Sequence, residues 1–134
     1  MDSADKFDAP SSEWPRGSEP APPELIDRVR SKGRAVVIVQ SGSEELRFLD
    51  YMKANANCGG ERQDHILLRS DARKIEVIEE FLHGTQFRLG LARNLDPRDL
   101  EVHVKEFMIR HNRLLALSAE DVGILRQMVR RESM

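Results

Sequence analysis

The sequence predicts a small α/β or α+β domain: a three-stranded sheet of residues 35–39, 65–69 and 86–91, covered by helices and closed by a C-terminal helix-turn-helix-like pair. Three observations carry this expectation. Ala35-Val36-Val37-Ile38-Val39 is short, β-branched and apolar on both faces, as a buried strand is. Ile75, Ile78, Phe81 and Leu82 fall on one face of a helix. Leu100, Val104, Phe107, Met108, Leu114 and Leu115 recur at steps of three, four and seven behind Asp96-Pro97. That dipeptide is a helix start, a side-chain acceptor followed by proline at the first helical position.

Taken in order, residues 1–23 hold five of the six prolines with Ser, Gly and Asp. Their few apolar side chains, among them Phe7 and Trp14, do not offset the entropy of ordering. They read as a disordered acidic tail, solubilising or docking through Trp14 and Phe7, ahead of a single domain at 24–134. Leu25, Ile26 and Val29 form a helical turn that Gly33 stops. After strand 35–39, residues 44–56 admit two readings: a helix capped by Ser43 with Leu46, Leu49 and Met52 inward, or a hairpin strand over 45–49. The helix is preferred, because Lys53-Ala54-Asn55-Ala56 continues it and Cys58-Gly59-Gly60 ends it. Ser70 or Asp71 caps the helix over 75–82, with Gly84 at its left-handed C-terminus. The alternation in Gln86-Phe87-Arg88-Leu89-Gly90-Leu91 suggests the third strand. Ser118 caps the last helix, whose inward face is Val122, Leu125, Met128 and Val129.

The 134 residues are 33% charged, with a formal net charge of −2. Residues 1–25 contribute six acids and two bases, −4, leaving +2 for the rest. A domain at +2 permits DNA contact without arguing for it. The longest apolar run is five residues, far short of the roughly 20 a membrane span requires. The proline-rich start lacks the pattern of a secretory signal. One cysteine builds no internal disulfide, and a cytoplasmic protein is the simplest expectation.

No catalytic, cofactor-binding or metal-ligating motif stands out. The loop at 40–43 follows a strand, where a phosphate can meet free amides, but carries neither glycine-rich nucleotide signature. His103 and His111 lie about 12 Å apart along one helix, too far to share zinc without other elements. His83 reads as a cation at a helix C-terminus, Cys58 as a free loop thiol, and Glu79-Glu80 as solvated surface. What remains is a set of cations on the last two helices: Lys105, Arg110, Arg113, Arg126, Arg130 and Arg131. Sixteen of the 21 basic residues are arginine, suited to planar contacts with carboxylate or phosphate. A protein partner is expected first and DNA, through residues 98–131, second. A small enzyme or nucleotide binder using the 40–43 loop is the third alternative.

Gly33-Arg34-Ala35-Val36-Val37-Ile38 with Leu46-Arg47-Phe48-Leu49 resembles the β-hairpin of a bacterial family, the helix-turn-helix-variant domain of transcriptional activators and antiactivators of conjugative elements. The helix over 73–82, Leu95-Asp96-Pro97 and Ser118-Ala119-Glu120-Asp121-Val122-Gly123 are similar to its later elements. Where the family carries a base after that serine, this chain has Ala119-Glu120, and a later apolar position falls on Arg126. The resemblance therefore implies an antiactivator that binds a transcription factor, a non-enzymatic regulator working by protein contact.

Overall fold

A computed structural model describes residues 16–132. The chain is α+β. In order it forms α1 (Pro23–Ser31), β1 (Ala35–Ile38), α2 (Glu44–Met52), β2 (Ala56–Gly59), β3 (His65–Leu68), α3 (Lys74–Arg88), a 3-10 turn (Leu91–Arg93), α4 (Pro97–Arg110) and α5 (Ala119–Glu132). The sheet order is β1-β3-β2, with β1 parallel and β2 antiparallel to β3.

Local chemistry sets most of the boundaries. Ser43 Oγ accepts from the Leu46 amide, Asp96 Oδ1 from Asp99 and Ser118 Oγ from Asp121, each satisfying a donor that the first helical turn leaves free. The helix over 44–52 is therefore real, and Leu46–Leu49 lie in it; the hairpin strand that the family resemblance implies there does not form. Lys53, in the left-handed region at φ 55°, ends α2. The chain then turns into β2, so residues 54–56 do not extend the helix. Ala-Asn-Cys-Gly is a poor strand by propensity. It is held by its register with β3, Ala56 opposite Leu68 and Gly59 opposite His65.

Residues 86–91 are not the third strand. α3 continues through Gly84 to Arg88, and the alternating apolar side chains Phe87 and Leu89 face solvent at 41% and 70% exposure. Gly84 is not a cap but a close approach. A Cβ there lies 2.6 Å from the Gln63 carbonyl oxygen and 3.2 Å from Arg34 Nε. Gly84→Ala is therefore expected to destabilise the chain by about 1–3 kcal/mol, the usual cost of overpacking. Helix propensity alone favours alanine by about 1 kcal/mol. A thermal melt of the variant decides between the two signs.

α3 is the central element. Val77, with Phe81 at its edge, faces a core of Val29, Val36, Ile66, Leu68 and Ala72. Ile75 and Ile78 face a second core with Val104, Met108, Ile124 and Leu125. A helix buried on two sides has no single apolar stripe, which is why its pattern reads less cleanly than that of α4.

Residues 16–22, assigned to the tail from sequence, are held against the domain. Arg16 makes a paired contact to Glu76, from Nε at 2.8 Å and Nη2 at 2.9 Å. The Ser18 amide donates to Asp121 Oδ1 at 2.6 Å, and Asp121 is fully buried. Ala21 and Lys74 amides complete the strap by donating to Ala72 and Glu19 carbonyls. Phe7 and Trp14 lie outside the described residues.

Candidate functional site

The six cations expected to form one surface separate into distinct environments. Lys105 is not on the surface; it is 5% exposed. Its ammonium meets Glu101 at 2.9 Å, Glu132 at 3.2 Å and Glu79 at 3.4 Å. Burial opposes its charge, yet those carboxylates hold its pKa above the ordinary value. Lys105 thus ties α3, α4 and α5 together rather than reaching a partner. Arg110, Arg126 and Arg130 do converge. With Glu106, Ile109 and Val129 they line an open groove of about 450 Å³ between α4 and α5. Arg113 lies exposed in the connection between those helices, and Arg131 at the far end of α5.

That connection spans residues 111–118. Eight residues exceed the three or four of a DNA-binding helix-turn-helix. α5 also opens on Glu120, exposed, and Asp121, buried against Ser18. A recognition helix presents its N-terminal residues to the groove, so acids there oppose phosphate.

The segment 111–118 instead builds a different surface. Leu114, placed by its spacing in the apolar stripe of one helix, lies beyond the end of α4 and is 83% exposed. With Leu25, Val29, Ile78, Phe81 and Leu82 it lines a groove of about 360 Å³ between α1, α3 and the α4–α5 connection. Its rim carries Arg28 and Lys32 against Glu24, while the third cation, Lys74, lies 3.9 Å from Glu19. Lys74 donates to the Ala116 carbonyl at 2.6 Å, which pins the connection to α3 and holds Leu114 in place. The sequence carries part of this signal: Asn112-Arg113 interrupts the apolar stripe where the helix stops.

The loop at 40–43 is an N-cap, its serine oxygen engaged by Leu46. Cys58 is not in a loop. It lies in β2, donates to the Gln63 carbonyl at 3.0 Å, and burial pushes its pKa up to about 12, so the thiolate needed for nucleophilic chemistry is scarce. Glu79 and Glu80 are not solvated surface but part of the charged cluster around Lys105 and His83. His83 sits inside α3 rather than at its end.

No protein-family model matches the chain, and neither a curated protein nor a solved structure matches it. Among the described residues no helix is long and apolar enough to cross a membrane.

Proposed function

We propose that this chain is a regulatory interaction module that docks an acidic, amphipathic helical segment of a protein partner in the α1/α3 groove. One observation carries the reading: an apolar groove with Leu114 standing exposed on its wall and Arg28 and Lys32 against one acid, Glu24, on its rim. Helix-in-groove recognition uses apolar anchors in such a slot. Complementary charge at the rim selects the partner and its register. The occupant that fits has apolar residues on one face and Asp or Glu on its flanks. An antiactivator that covers a transcription factor is one protein of this kind.

The test is fluorescence anisotropy of a labelled acidic amphipathic peptide with the full chain. Leu114 is solvent-exposed in the free chain, so Leu114→Glu leaves the fold intact. Burying a leucine contributes about 1.5–3 kcal/mol, so this variant is expected to bind at least tenfold more weakly. Arg126→Ala is expected to bind as the parent does. Equal binding by Leu114→Glu contradicts the reading.

Direct nucleic-acid contact is the second reading, favoured by the convergence of Arg110, Arg126 and Arg130. It requires affinity for duplex DNA that falls steeply with salt, with a slope flattened by Arg126→Ala or Arg130→Ala.

A further inference from the structure

A second cavity of about 450 Å³ lies between β2, α3 and the first half of α4, on surfaces that the groove does not use. Nearly every polar group in its wall is already engaged. Gln86 Nε2 donates to the Leu100 carbonyl at 3.0 Å, and this fixes Gln86 Oε1 as an acceptor 2.9 Å from His83 Nδ1. His83 Nε2 lies 3.0 Å from Glu101 Oε2. Both ring nitrogens therefore donate and His83 is held as the imidazolium; burial opposes that charge, and Glu101 raises the pKa in spite of it. The other Glu101 oxygen accepts from Lys105.

Asn57 and Glu80 are the exceptions: both line the cavity, and among the described residues neither side chain has a hydrogen bond or an ion pair. Of the two, Glu80 is the one that can carry a charge. The charges acting on it, Glu79 and Glu101 against Lys105 and His83, balance before Glu80 is counted, so Glu80 is the acid in excess. The groups facing it are His83 and Glu79 on its own helix, Glu101 and Lys105 on α4, and Cys58 on β2. Burial, with the neighbouring carboxylates, holds its carboxyl well above the ordinary range.

We propose that this cavity binds a small organic cation, an amine or guanidine of amino-acid size, with Glu80 as its counter-ion. Cavities of about 300–1,000 Å³ with a few convergent polar groups suit ligands of that class. The bound cation stabilises the Glu80 carboxylate, so each binding event that finds the carboxyl protonated returns one proton to solvent. A metal ion fits less well. Oxygen and nitrogen atoms of Glu79, His83 and Glu101 lie within 4.8 Å of one another, but a metal there must expel both the Lys105 ammonium and a His83 proton.

The test is calorimetric titration of the full chain with agmatine, which carries both an ammonium and a guanidinium group. Measurements in two buffers of different ionisation enthalpy count the protons. The expected result is saturable binding with net proton release at pH 6.5. Glu80→Gln, nearly isosteric, is expected to weaken binding at least tenfold and abolish the proton release. Glu80→Asp is expected to retain part of both, and Arg110→Ala to change neither. Binding unaffected by Glu80→Gln, equal binding of a neutral polyol of the same size, or no binding of agmatine at 10 mM each overturns the proposal.

Discussion

Lys105→Met is expected to be the most destabilising single substitution on the polar side of the fold, by about 3–5 kcal/mol. Removing one partner from a buried ion pair leaves the other charge uncompensated, and that orphaned charge is what costs the energy. Lys105 and Glu79 are the buried members, with side chains 7% and 14% exposed. Glu101 and Glu132 are 40% and 31% exposed, so water screens their share. Glu79 carries most of the effect: burial already raises its pKa, and the Lys105 charge is the main influence opposing that rise. Two consequences distinguish this cause from lost packing. Glu79→Gln added to Lys105→Met recovers about 1–3 kcal/mol as a coupling between the sites. Acidification also narrows the gap between parent and variant, because protonated Glu79 no longer needs its cation. Urea melts of the four chains at pH 7 and pH 5 measure both. A loss under about 1 kcal/mol contradicts the account.

Leu125→Ala is expected to cost about 2–5 kcal/mol. Leu125 is fully buried with Met108, Ile75 and Val104, where α3, α4 and α5 meet. A cavity there loosens α5 from both other helices, and the Arg16–Pro22 strap with it, since Ser18 is bound to Asp121 at the start of α5. The melting temperature follows this loss directly, at about 4 °C per kcal/mol for a chain of 134 residues. Leu114→Glu, in the connection before α5, is expected to leave the melting temperature unchanged, because that leucine is already in water.

The contrast between these two leucines shows what the sequence carries. Both sit in apolar stripes at helical spacing, and only the end of α4 at Arg110 separates core from surface. Asn112-Arg113 interrupts the stripe at that stop, but no glycine or proline marks it, so Leu114 and Leu115 still read as its continuation. The start of α3 is not legible, since its N-cap is Arg73 rather than Ser70 or Asp71. Three other helix starts are legible because their signals are local: Ser43, Asp96 and Ser118 each accept an amide three residues on. β1 and β3 are legible for the same reason, from dense branched apolar runs. β2 is not, since Ala56–Gly59 owes its conformation to the strand beside it. The charged cluster is half legible. Glu79/His83 and Glu101/Lys105 are each four apart on one helix, but their meeting across α3 and α4 is a tertiary fact. From sequence alone, Lys105 therefore reads as a surface cation and Glu80 as a solvated acid.

The most direct test of the docking groove is photo-crosslinking from a photoreactive phenylalanine derivative at position 114 of the full chain, in nuclease-treated native lysate, with the crosslinked peptide sequenced. The expected product is one protein segment with acidic flanks and an apolar face, lost when Arg28→Glu and Lys32→Glu are introduced together. A product that survives those charge reversals, a segment that is basic, or no adduct at position 114 contradicts the assignment of the groove.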